Sequence, residues 1–133
     1  MHDQRVKFET ANLAKEVGFD LKVDAYYNHA EQESYIVVGK GNWNFSRHGD
    51  IVLSAPTQSL LQRWIREKYL IHIEVYSFID GTWGGDLIHK DAPYEYDDKN
   101  APYDVKGCKE YEDALEICLQ KALKKIKDEH VPL

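Results

Sequence analysis

The sequence predicts an α+β fold: a small antiparallel sheet of two to four strands, centred on one hairpin and packed against two or three helices. Three observations lead there. Residues 54–89 switch from a helical apolar period to a two-residue alternation, with Asp80-Gly81 as a turn signal between two extended runs. Residues 109–127 carry a second apolar stripe at helical spacing. Both stripes, and the isoleucine face of the ribbon, must bury against something, and each supplies what the others need.

In chain order, residues 8–17 read as a short helix with Phe8, Leu13, Ala14 and Val17 inward. Gly18 suits the left-handed position after its end, with Phe19 packing back on the last turn. Lys22 to Tyr27 and Tyr35 to Val38 have strand composition, separated by a polar stretch. One of them is expected to add a third strand to the hairpin, because a two-stranded ribbon alone is marginal. GKGNWNFSRHGD reads as a loop, and Ile51 to Leu53 as a short extended lead-in to the central helix. Pro56 fits the first position of that helix, which places Gln58 third, reaching back to the cap backbone. Leu60, Leu61, Trp64, Ile65 and Tyr69 form its buried stripe, and Arg63 and Glu67 pair across one turn of the opposite face.

From Ile71 the period is two. Ile71, Ile73, Val75, Ile79 and Ile88 are expected to face the core, with a two-residue turn at Asp80-Gly81. On that register Phe78 faces Trp83, Tyr76 faces Gly85, Glu74 faces Leu87, and His72 faces His89. A bulge at Gly84-Gly85 would slip it by one and move His89 to the other face. Residues 90–107 read as a long polar excursion. Residues 109–127 form the closing helix, with Tyr111, Leu115, Cys118, Ala122 and Ile126 inward and the tail DEHVPL frayed.

At 133 residues the chain is expected to be one domain, 1–133. The net charge of −6, from 17 basic and 23 acidic residues, disfavours general nucleic-acid binding. No apolar run approaches the roughly 20 residues of a membrane span, and no apolar leader is visible, so a cytoplasmic protein without membrane contact is expected. Cys108 and Cys118 read as thiols rather than a disulfide.

The expected working surface is the ribbon face turned away from the isoleucines: His72, Glu74, Tyr76, Phe78, Trp83 and His89. Two opposed imidazoles beside Glu74 are a weak candidate for a zinc site or an acid–base pair, without an evident fourth ligand. Tyr76, Phe78 and Trp83, joined by Trp43 and Phe45, can stack bases or anchor a protein, or else close a small second core under a loop. Arg63, Arg66 and Lys68, and Lys121, Lys124, Lys125 and Lys127, are candidate phosphate contacts against the plainer alternative of solvated helix faces. Asp91, Glu95, Asp97, Asp98 and Asp104 lack the spacing of a calcium loop. No phosphate-loop, dinucleotide, nucleophile-elbow, HExxH or CxxC motif occurs.

The stretch SAPTQSLLQRWIREKYLIHIEV, the closing YEDALEICLQKALKKI and the start FETANLAKEVGF resemble a group of small uncharacterised proteins of phages and prophages in Bacteroides-type gut bacteria. The resemblance covers about half of the chain and implies a mobile-element origin. It carries no assigned activity and no catalytic residue. The leading expectation is a non-enzymatic accessory or binding module, with no cofactor, acting on a protein partner through the His/aromatic face. A homodimer is one way to cover that face. A nucleic-acid-associated protein is the alternative, and a small metal-dependent enzyme on His72, His89 and Glu74 the third.

Overall fold

The computed structural model describes residues 3–89 and 105–129. It is an α+β fold with helices α1 (Phe8–Glu16), α2 (Gln58–Tyr69) and α3 (Tyr111–Glu129). Strands β1 (Val23–Asn28), β2 (Ser34–Gly41) and β3 (Val52–Ser54) form one antiparallel sheet in the order β2-β1-β3. Strands β4 (Ile71–Ser77), β5 (Trp83–His89) and β6 (Val105–Cys108) form a second, in the order β4-β5-β6. The strands expected between residues 20 and 53 therefore exist, but they build a sheet of their own. The hairpin takes its third strand from Val105–Cys108, so the end of the supposed 90–107 excursion is strand. The rest of that excursion, with Asp91, Glu95, Asp97, Asp98 and Asp104, lies outside the described residues, as do residues 130–133. Asp128 and Glu129, expected to fray, continue α3.

The end of α1 follows from two residues. Gly18 takes φ +91°. Its N–H donates to Lys15 O, and the Phe19 N–H reaches Ala14 O at 2.9 Å, which closes the last carbonyls in a Schellman motif. Phe19 is then fully buried, edge-on to Trp64 with ring centroids 5.2 Å apart. At the start of α2 the expectation was off by two residues. Thr57 is the N-cap, accepting from Leu60 N, so Pro56 precedes the helix and Gln58 is its first residue. With no glycine at its exit, α2 ends on Leu70 in the left-handed region, φ 59°.

α3 packs against the second sheet and against both other helices. One hydrophobic cluster joins Phe19, Val23, Leu53, Leu61, Ile65, Ile71, Ile73, Leu119, Leu123 and Ile126, drawing on both sheets. Gly85 makes the close approach of α3 feasible: a Cβ there would stand 2.7 Å from Cys118 Sγ and 2.6 Å from Glu74 O. Inside the junction of the three helices sits a carboxylate that the sequence did not advertise. Glu116 is 2% exposed. Its Oε2 accepts from Lys7 N at 3.0 Å and from the Thr10 hydroxyl, and its Oε1 from Gln58 Nε2 at 2.9 Å. Gln120 Nε2 in turn donates to Thr10 Oγ1. One acid thus holds the first turn of α1 and the first residue of α2 against the middle of α3, where the helix dipole of α1 favours a negative charge.

Neither Cys108 nor Cys118 is in a disulfide. Cys118 is fully buried, and burial first, then the Asp113 charge, pushes the Cys108 thiol above its ordinary range. A thiol-reactive disulfide reagent in native buffer is expected to label Cys108 slowly and Cys118 only on unfolding. Fast labelling of both would contradict this packing. Among the described residues no helix is long and apolar enough to cross a membrane.

Candidate functional site

The hairpin forms, but its register is displaced by one residue from the expected one. Ile71 pairs with His89, His72 with Ile88, Ile73 with Leu87, Glu74 with Asp86, Tyr76 with Gly84 and Ser77 with Trp83. The cause is the turn. Gly81 N donates to Phe78 O, and Phe78 N to Thr82 O, so Ile79-Asp80-Gly81 is a three-residue loop with Gly81 at φ +87°. Asp80 Oδ1 holds that loop by accepting from Thr82 N at 2.9 Å and Thr82 Oγ1 at 2.7 Å, and these bonds lower its carboxyl pKa. The ladder runs unbroken through Gly84 and Gly85, so the slip arises at the turn and not at the glycines.

Because paired residues share a face, one residue of slip redistributes the expected site. His72 and His89 lie on opposite faces of the ribbon, which removes the opposed imidazole pair. Among the described residues no group of three His, Cys, Asp or Glu side chains is placed to hold a metal ion. Ile79 is fully exposed in the turn, and Ile88 shares the outer face with His72 instead of joining the core. Trp83 shares the face of Ile73 and Val75 and stands edge-on to Tyr111 of α3 at 5.6 Å. Glu74, Tyr76 and Phe78 do share the outer face with His72. There Tyr76 OH donates to Asp86 Oδ2 at 2.9 Å, the Tyr76 and Phe78 rings meet at 5.4 Å, and Phe78 lies over Gly84, where a Cβ would stand 2.7 Å from its ring.

Trp43 and Phe45 do not extend this patch. Trp43 opens a 3-10 turn, Trp43–Phe45, that packs on the first sheet: its Nε1 donates to Val23 O at 3.1 Å and its ring lies 5.2 Å from that of Tyr26. Two of the three basic candidates on α2 have contacts within the helix. Arg63 approaches Glu67 at 4.0 Å, and Lys68 Nζ sits over the Trp64 ring at 5.1 Å. A polar depression of about 160 Å³ lined by Lys15, Asn44, Ser46, Arg47, Gly49 and Asp50 is smaller than the roughly 300–1,000 Å³ of ligand pockets. Its Lys15 already donates to Gly49 O, and Asn44 uses both ends of its amide on Phe19 O and Ser54 N.

The feature that stands out is the edge of the first sheet. Among the described residues, five of the nine exposed large hydrophobics, Tyr35, Ile36, Val38, Phe45 and Ile51, fall within residues 35–51. Ile36 is 76% exposed and Val38 106%. Among the described residues β2 pairs with β1 alone. Opposite Ile36, Ala25 turns its carbonyl to Ala55 on the β3 side, so Ile36 turns its own N–H and C=O to the open edge, and so does Ser34 two residues earlier.

Two other strand edges each carry a side-chain hydrogen bond on an outward backbone group. On β4, Gln62 Nε2 donates to the outward Ile73 carbonyl at 3.0 Å. On β3, Asn44 Oδ1 accepts from the outward Ser54 N–H at 2.8 Å. β2 carries only a register shift toward Gly41, with Gly39 at φ +89°, and the single charge of Lys40. Sequence reasoning missed this edge because strand composition shows neither pairing nor exposure.

On the other face of the same strand, Tyr35 stacks on Tyr26 at 5.5 Å and its hydroxyl donates a hydrogen bond to Glu31. That hydrogen bond, more than burial, pushes the phenol up to about 12. The neutral phenol is the favoured form. The contribution to stability is therefore complete below the ordinary value of 10.0 and is lost as the pH rises through about 12. In Glu31→Gln the tyrosine that ionises near pH 12 in an ultraviolet titration is expected to move down toward the ordinary 10.0. An unchanged titration curve would contradict the bond.

Scans against protein-family models, curated proteins and solved structures each return no match.

Proposed function

We propose that the chain is a non-enzymatic protein-binding module that takes an extended segment of a protein partner onto the open edge of β2. One observation carries the reading: outward N–H and C=O groups at Ser34 and Ile36 beside exposed Ile36 and Val38, on a strand that among the described residues is paired on one side only. An unpaired edge is a template for a further strand, and main-chain hydrogen bonds supply affinity while alternate side chains supply selectivity. A nucleic-acid role has less behind it, since Arg63 and Lys68 have local partners and Glu31 and Glu33 flank the edge. The accessory role implied by the likeness to phage and prophage proteins, and a cytoplasmic setting, belong to the same proposal.

A photo-reactive side chain placed at Ile36 or Val38 in cells producing the protein tests it. Covalent products are expected from these two positions and not from exposed Lys121 on α3. Equal or absent cross-linking at all three positions would contradict it.

A further inference from the structure

We infer that the segment seated on β2 is the β2 strand of a second copy of this chain. This rests on the edge-binding reading and goes further by naming the occupant. Two copies of one edge can pair about a two-fold axis only in the antiparallel sense, because a rotation normal to the sheet reverses the strand. A pairing centred on Ile36 sets its outward N–H and C=O against those of its twin, as a hydrogen-bonded pair requires. It also brings Ser34 of each copy to Val38 of the other. The two exposed Ile36 side chains then meet on one face and leave water together.

Charge favours the same arrangement. β2 is acidic at its start, with Glu31 and Glu33 in the preceding turn, and basic at its end, with Lys40. Antiparallel pairing lays Lys40 of each copy beside the acidic turn of the other, whereas a parallel pairing would set acid against acid and lysine against lysine. The result is one six-stranded antiparallel sheet across the axis, with no unguarded β2 edge left.

Light scattering on the purified chain behind a sizing column, with reductant and physiological salt, tests this. The expected mass is twice 15.5 kDa for the wild type. Ile36→Lys with Val38→Lys is expected to halve it without changing the circular dichroism, since both side chains are already in solvent. Ser34→Pro is the second variant, because it removes an outward N–H that β1 does not use. It too should give the monomer mass. A wild type that stays monomeric from micromolar to millimolar concentration overturns the inference, as does a dimer that survives both variants. If the wild type is monomeric while position 36 still cross-links to a different protein, the edge-binding reading stands with another partner. If neither is seen, both fall.

Discussion

Glu116→Ala is expected to lower the unfolding free energy by on the order of 4 kcal/mol. The carboxylate is 2% exposed and accepts from three donors: the Lys7 amide, the Thr10 hydroxyl and the Gln58 side chain. Truncation leaves all three buried or half-buried without their acceptor, and hydrogen bonds to a charged group contribute about 1.5–3 kcal/mol each. Gln58 Nε2 keeps a second acceptor in Glu112 O, which limits the loss, whereas Gln120 donates to Thr10 and does not replace its acceptor. Glu116→Gln tests the chemistry rather than the volume. Its amide presents one oxygen and one NH2, so whichever way it turns, a donor meets a donor at Lys7 N or at Gln58. About half of the alanine effect is expected. Urea denaturation with unchanged slope and a lower midpoint is the readout. A glutamine variant as stable as wild type would mean that the charge and its acceptor count are irrelevant. Because the network lies in the helix junction and not at β2, neither variant should alter self-association at concentrations where the chain stays folded.

Gly85→Ala is expected to cost about 1–3 kcal/mol, and Gly85→Val more. The added Cβ would stand 2.7 Å from Cys118 Sγ and 2.6 Å from Glu74 O, inside any van der Waals contact. One neighbour is a side chain that can be shortened, and the other is backbone that must shift. Cys118→Ala in the Gly85→Ala background should therefore recover part of the loss but not all of it. A double-mutant cycle measures the coupling. Additive single effects would show that α3 does not come as close to β5 as described.

How far the fold was legible depends on how locally each signal acts. The Gly18-Phe19 pair marks the end of α1 because a left-handed residue and a returning hydrophobe are decided within one turn. The stripes of α2 and α3 survive for the same reason: Leu61, Trp64, Ile65, Leu115, Leu119 and Ile126 are all buried. Asp80-Gly81 announces a hairpin but is compatible with a two-residue loop and with a three-residue one. The choice falls on Thr82, whose N–H and hydroxyl bind Asp80, and that one residue decides which face carries His89 and Trp83. The expected opposition of His72 to His89 failed at this step, and His72, Glu74, Tyr76 and Phe78 remained together on one face. Glu116 was invisible because an acid within an apolar stripe reads as the solvent boundary, and its donors lie over a hundred residues away at Lys7 and Thr10. The open edge of β2 was invisible because pairing order is set by long-range contacts, and a shifted register near Gly39 and Gly41 blurs the alternation that would identify the strand.

The most direct measurement is amide hydrogen exchange, residue by residue, across a series of protein concentrations. If β2 is the docking edge, protection at Ser34 and Ile36 rises with concentration, while the ribbon from His72 to Phe78 exchanges at a constant rate. Fast exchange at Ser34 and Ile36 under all conditions, with new protection appearing instead at His72, Tyr76 and Phe78, would return the working surface to the hairpin and contradict the assignment made to β2.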